Sequence, residues 1–476
     1  MHKHWAWVGL AALMTCTGCT GLALGRSAPG ADVSLAYGAV AVDARTDTAF
    51  VLQKRSHDNE VVEQRLYAVA ANDNSATQIT AMQGEQDPRM LFPDSGVLVM
   101  TEKWEGERLM LLDPISLKVK RDVRIDARYH GTRLSPSRRW LAVADNDQDT
   151  TPIHIVDTKT LRPRVVPHKG DWLEATWLNE SDRLVAAIFN AGTEGAPATV
   201  RIVSWTVDDV AGRDYSTDTS GVWANPDLDH VIQGKQRDAW LSFTWLGVSP
   251  DDRWLVVPVR NAETQIHELV LVDLRDGSHR VLPNAKGPVG FTADSRTIIS
   301  YDRTEVAPNA DDDESRTHVD GLLLVDAETL ETRRLHPPHA AGFQFYVSGS
   351  TVVVAPTALE DPSQTHAPLF VVDANDPQDD GTTVPGSIHL AEFLERPAEQ
   401  ELWVISHAAL TRVDLDARTS ESVAVGFSPA HLNYLPGRDW LVLDEPSTDA
   451  SASVQSLVFV DPSSRQIVRR VPVPTR

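Results

Sequence analysis

From about residue 33 onward the chain repeats one unit of roughly 45 residues, and a fixed period of that size constrains the fold more than any composition does. The unit's clearest mark is a short apolar run closed by an acidic residue and followed by turn formers. It occurs as LMLLDPIS at 109–116, IHIVDTKT at 153–160, LVLVDLRD at 269–276, LLLVDAET at 322–329, LFVVDAND at 369–376 and LVFVDPSS at 457–464. Ahead of it, a turn with Pro, Asp or Ser leads into a β-rich stretch, as in LSPSRRWLAVAD at 134–145, VSPDDRWLVVPV at 248–259 and YLPGRDWLVLDE at 434–445. Behind it come another turn and a polar-apolar alternation such as TLETRRLHP at 329–337. Alternating β-branched residues between turn formers are what hairpins require. Four short strands per unit is the content of a propeller blade, so the chain is expected to be all-β, a single β-propeller of four-stranded antiparallel blades.

Aligning the acidic position of each unit gives Ala70, Asp113, Asp157, Ser204, Asp273, Asp326, Asp373, Asp414 and Asp461, the units at Ala70 and Ser204 being degenerate. Propellers usually have four to eight blades, so these nine positions predict nine blades, or eight where one unit is misread or the terminal units share a blade, with seven as the fallback. Successive positions lie 41 to 53 residues apart except for 69 between Ser204 and Asp273. That excess predicts a rim insertion at about 207–238, and a smaller one falls at 305–320. Each of Asp113, Asp157, Asp273, Asp326, Asp373, Asp414 and Asp461 is expected to be structural, its carboxylate accepting from the amides of the next turn. Trp140, Trp254 and Trp440 recur at one place in their units, which predicts packing between blades.

The first nineteen residues carry a different signal. Met1 to His4 is a short basic start, Trp5 to Met14 is apolar, and Thr17-Gly18 puts small residues before Cys19. The apolar stretch is far short of the roughly 20 residues a membrane-crossing helix needs, so it reads as an export signal. The arrangement resembles the bacterial lipoprotein signal, which implies lipidation of Cys19, although Cys16 stands where that family usually has Leu. Lipidation at Cys16 and an ordinary signal are the alternatives. Residues 1–19 are thus expected to be the signal segment, 20–32 a flexible tether, and 33–476 the propeller. The chain's 2 cysteines both lie in the signal, so no disulfide is expected in the fold.

Acidic groups outnumber basic ones, 67 to 44, for a formal charge of -23, which repels nucleic acid. One cluster, Asp145-Asn146-Asp147-Gln148-Asp149, spaces carboxylates as a calcium-wrapping loop does, but Thr150 and Val156 stand where a helix-loop-helix calcium site needs Gly and Glu. Asp145, Asp147 and Asp149 remain the candidate calcium ligands, against a plain exposed hairpin loop. His336 and His339 flank Pro337-Pro338 at a unit boundary and are solvated histidines or, less simply, a metal pair. Neither the G-x-S-x-G elbow nor the phosphate-binding G-x-x-x-x-G-K-[ST] loop occurs, and no catalytic residue is assigned.

The units resemble the degenerate bacterial propeller repeats grouped as WD-like, Tol-system and YVTN-type, with an Asp at the end of the third strand but without the Trp that precedes it in the WD signature. This resemblance implies a surface for partners. Fold alone does not give function. The expectation is a monomeric lipoprotein without a cofactor. It would be held at the bacterial cell envelope, at the outer membrane or its periplasmic face, and bind an envelope protein, peptide or glycan. The alternative is a metal-assisted, lactonase-like propeller hydrolase with its ligands converging on the channel.

Overall fold

The computed structural model describes residues 40–57, 60–83, 89–103, 106–125, 129–145, 153–166, 172–190, 199–207, 228–233, 246–260, 267–282, 284–305, 317–338, 340–359, 368–386, 392–406, 409–447 and 454–474. These form nine four-stranded antiparallel sheets, each made of four consecutive strands. In chain order the blades are 40–83, 89–125, 129–166, 172–233, 247–282, 285–335, 340–384, 392–424 and 432–472. The chain is a nine-bladed propeller, the upper of the two expected counts. Among the described residues, helix is confined to short pieces such as Pro397–Glu399.

The repeating apolar runs are buried on both faces, and their period of two sends alternate residues to opposite neighbours. In the third strand of blade 5, His267–Asp273, Val270 and Val272 pack toward blade 4 while Leu269 and Leu271 pack toward blade 6. The described residues form nine such apolar clusters, one at every junction between adjacent blades. The ring closes the same way. Val40, Val42 and Val51 of blade 1 pack with Leu435, Val442 and Phe459 of blade 9, and among the described residues no strand is exchanged between them. Burial at roughly 25 cal/mol per Å² of apolar area makes these junctions the main source of stability.

The first strands lie innermost, since Val40–Asp43 and Glu392–Arg396 both approach Leu432–Leu435, the first strand of blade 9. The fourth strands lie outermost. In His279–Leu282 and Thr332–Leu335 only the final leucine is buried. Because each sheet is an antiparallel meander, its first-to-second and third-to-fourth turns fall at one end of the ring. Its second-to-third connections and the crossovers to the next blade fall at the other. The first is called here the turn face and the second the connection face.

Two sequence expectations change. Leu228–Gln233, inside the segment expected as an insertion, is the fourth strand of blade 4, paired with Thr199–Thr206. The extra length therefore splits around a strand. An outermost strand pairs on one edge only and tolerates polar composition, so LDHVIQ reads as loop. In the same blade Thr206, paired with Arg183, stands where Asp273 pairs with Trp254, so the repeat position is Thr206 and not Ser204. A two-residue slip leaves every side chain on the same face, and hydrophobic alternation cannot detect it.

Candidate functional site

The turn face is built from the recurring Asp. Asp113 Oδ1 accepts the amides of Ile115 and Ser116 at 3.0 and 2.8 Å, Asp157 those of Lys159 and Thr160 at 2.9 and 2.8 Å, and Asp326 those of Glu328 and Thr329 at 3.0 and 2.8 Å. Asp461 binds Ser463 and Ser464, at 2.8 and 3.3 Å. Asp273, Asp373 and Asp414 each accept one following amide, from Arg275, Asn375 and Ala417 at 3.0, 2.9 and 2.8 Å. Four residues on, the chain turns left-handed, at Leu117, Leu161, Gly277, Leu330 and Arg465 with φ of 57, 53, 77, 61 and 60°. Each of these donates its N–H back to the Asp carbonyl, at 2.7 to 2.9 Å. Three leucines accept this conformation, which favours glycine, because Leu161 is buried and Leu117 and Leu330 pack against the cores of clusters beneath them.

Four of these carboxyls are tuned for ionisation. The amide of Ser116, with Lys120 and the Ile115 amide, holds Asp113 well below the usual range. Burial opposes ionisation of Asp273, but Arg275, its amide and Arg253 outweigh it and hold the carboxyl at about 2. Asp326 and Asp461 are lowered too.

Other side chains of the turn face join blade to blade. Asp182 of blade 4 accepts the Ser137 amide of blade 3 at 3.0 Å, and Asp252 of blade 5 accepts the Asn179 and Glu180 amides of blade 4 at 2.5 and 3.0 Å. Asp47 of blade 1 accepts the Gly437 amide of blade 9 at 3.1 Å, so the ring seam uses the clasp found inside the ring. Outer-strand arginines cap carbonyls of the following blade. Arg280 reaches Ala327 and Glu328, each at 2.6 Å, and Arg333 reaches Asp373 and Ala374 at 3.0 and 3.3 Å. Trp140 and Trp254 are buried between blades under the guanidinium carbons of Arg139 and Arg253, 4.5 and 4.1 Å from the ring centres. Trp440 is partly buried at the seam, edge-on to Phe459 at 5.9 Å. Blade 8 replaces this tryptophan with Glu401, which takes Arg396 at 2.7 Å, Arg412 at 2.6 Å and the Trp403 indole at 3.2 Å. Arg396 also reaches Asp439 of blade 9 at 2.6 Å.

The connection face differs. Its connections leave the strands between Arg260 and His267, Glu305 and Thr317, and Leu359 and Leu369, with no common length. At the seam Gln53 donates to the Val454 carbonyl at 2.6 Å and accepts its amide at 2.7 Å. Where blades 8 and 9 meet, Glu392, His431 and Asp444 come together. Glu392 opens the inner strand of blade 8, and its Oε2 accepts the amide of Leu432, which opens that of blade 9. Asp444 is buried, accepts the Ala430 and His431 amides at 2.9 and 2.7 Å, and lies 3.0 Å from His431 Nδ1. Burial pushes the Glu392 carboxyl up to about 7. Burial works against the charge on His431, but the hydrogen bond and field of Asp444, with Glu392, prevail and raise it.

Of the residues singled out in the sequence, Cys19, Asp147, Asp149, His339 and the acidic run 309–314 lie outside the described residues. Asp145 ends the second strand of blade 3 and is on the connection face, across the ring from the repeat Asp positions. His336 is exposed beyond the outer strand of blade 6. Among the described residues no group of three or more His, Cys, Asp or Glu is placed to hold a metal ion. The Glu392 cluster escaped sequence reading because its members sit 39 and 13 residues apart, on two blades. The one available signal was that Glu392 and His431 occupy the same position of successive units.

No protein-family description and no curated protein matches the sequence. Solved structures are similar in shape. A eukaryotic initiation factor aligns over 86% of this chain and 92% of its own, at 8% identity and TM-score 0.50. AztD from Citrobacter koseri aligns over 90% and 95%, at 10% identity and TM-score 0.41, and TolB from Acinetobacter baumannii over 68% and 77%, at 11% identity and TM-score 0.30. At such identities the first likeness speaks for the fold alone, and the scores of the other two are too low to carry an argument.

Proposed function

We propose that this protein is an extracytoplasmic lipoprotein, anchored through Cys19 and tethered by residues 20–32, whose propeller is a binding scaffold at the bacterial cell envelope. Its connection face would hold an envelope protein, peptide or glycan. The observation that carries this reading is the contrast between the two ends of the ring. The polar groups of the turn face are engaged in their own turns and in blade-to-blade clasps. The unequal connections of the opposite face have no repeated turn to complete, and loops on a rigid scaffold are where binding usually resides. The anchor reading rests on the export-type start and on Thr17-Gly18-Cys19. Stable attachment takes more than one acyl chain, which bacterial lipoproteins carry.

Three experiments test it. Cys19→Ser should move the protein from the membrane to the soluble fraction, and retention in the membrane would reject the anchor. Crosslinking from single cysteines placed beside Glu305 or Leu359, compared with cysteines at Ser116 or Ser463, should capture an envelope partner from the connection face only. Capture mainly from the turn face would overturn the assignment, and turnover of a lactone by the metal-supplemented protein would replace it with the hydrolase.

A further inference from the structure

The contact between the inner strands of blades 8 and 9 holds three titratable side chains, and its hydrogen bonds cross from one blade to the other. Glu392 Oε2 on blade 8 receives the Leu432 amide of blade 9 at 2.5 Å, and the neighbouring His431 is tied at 3.0 Å to Asp444 on the second strand of blade 9. Asp444 is itself fixed by the Ala430 and His431 amides. We propose that Glu392, His431 and Asp444 form a pH-responsive clasp between blades 8 and 9, shut in mildly acidic surroundings and slack in alkaline ones.

The charges facing Glu392 are those of His431 and Asp444. Glu445, next to Asp444, is engaged with Arg470 at 3.2 Å, and Glu395, on the same strand as Glu392, turns to Tyr346 of blade 7 at 2.9 Å. Below neutrality the cluster holds a neutral Glu392 carboxyl beside an imidazolium-carboxylate pair and carries no net charge. Above it, Glu392 ionises and the cluster gains a negative charge that the His431–Asp444 pair does not offset, at a partly desolvated site. Both folded-state values are raised, Glu392 from 4.5 to about 7 and His431 above 6.5. The contact's contribution to stability is therefore full below pH 4.5 and is lost as the pH climbs through about 7. The clasp lies on the connection face and couples the inner edge of that face to pH. It does not depend on the lipid anchor or on the partner's identity.

Amide hydrogen exchange of the full-length protein between pH 6 and 8.5, corrected for intrinsic exchange, tests this. Peptides covering 430–435 should lose protection by about tenfold across the range, one pK unit's worth of coupling. Peptides covering 113–117, held by an Asp that stays ionised throughout, should not change. Glu392→Gln keeps an acceptor for Leu432 and should cut the pH response to the smaller part carried by His431 and Asp444, and His431→Gln removes the cation that favours ionised Glu392 and should move the response to higher pH. Equal behaviour of the two wild-type peptides, an unaltered response in Glu392→Gln, or an unmoved midpoint in His431→Gln would each overturn the proposal.

Discussion

The two ends of this ring obey different rules. At the turn face a carboxylate at a fixed distance from the apolar run completes the third-to-fourth turn in seven of the nine blades, where the amides would otherwise lack partners, so the sequence repeats there. At the connection face the chain only has to return to the next strand, and length and composition drift. The ends also answer pH with opposite signs. Asp113, Asp273, Asp326, Asp461 and Asp379, the last in the third-to-fourth turn of blade 7 and paired with Arg418 at 2.6 Å, have lowered values, so their contribution is present above the ordinary carboxylate range and lost in acid. Glu392 and His431 are raised, and theirs is lost toward alkali. Asp252 is an exception on the turn face, where burial between blades 4 and 5 raises it despite the Asn179 and Glu180 amides. A ring assembled from equivalent units thus has one end built for rigidity and another free to vary.

That contrast can be broken at several depths. Both ends hang from one core, so Leu271→Asp, at a side chain with no exposed surface, should abolish folding at a cost above about 4 kcal/mol. Circular dichroism that stayed native would reject the strand placement. Next in size is Arg396→Ala on the turn face, which removes one of the two arginines that neutralise the buried Glu401, leaves Arg412 as its remaining cation and should cost about 2 kcal/mol by denaturant unfolding. Glu392→Gln on the other face should cost far less at pH 7 because its carboxyl is already half neutral there. If the two variants melt alike, the faces are not mechanically distinct.

The seam provides a finer comparison. Asp47→Ala and Asp182→Ala remove the same kind of clasp, one across the ring closure and one inside it, and each should cost about 1 kcal/mol. A much larger effect at Asp47 would mark the seam as the ring's weak joint. The smallest effect belongs to a single turn. Asp326→Asn should lower stability by no more than about 0.5 kcal/mol at pH 7, since the group is largely solvated, and should flatten the loss of stability below pH 4. An acid limb unchanged by this substitution would detach the turn carboxylates from acid unfolding.

Much of the fold was legible in the chain. The runs LVLVD at 269–273 and LLLVD at 322–326 announced strands buried on both faces, and the Asp closing each announced its turn. The same logic failed where an element lacked a one-sided apolar pattern. The outer strand Leu228–Gln233 has a partner on one edge only, and Thr206 lacks the carboxylate that marks its equivalents. The buried exchange of Arg396 with Glu401 was invisible because blade 8 places charges where blades 3 and 5 place Ser135 with Trp140 and Ser249 with Trp254.

By itself the sequence determined the repeating unit, the turn carboxylates and the alternation that sends each apolar run to two neighbours, since all of these depend on separations of a few residues. Tertiary structure decided the number of blades, the closure of blade 9 on blade 1 without a shared strand, and the meeting of Glu392 with His431 and Asp444. Those features depend on how sheets with a fixed twist stack about an axis. No short-range pattern in the chain encodes that angle.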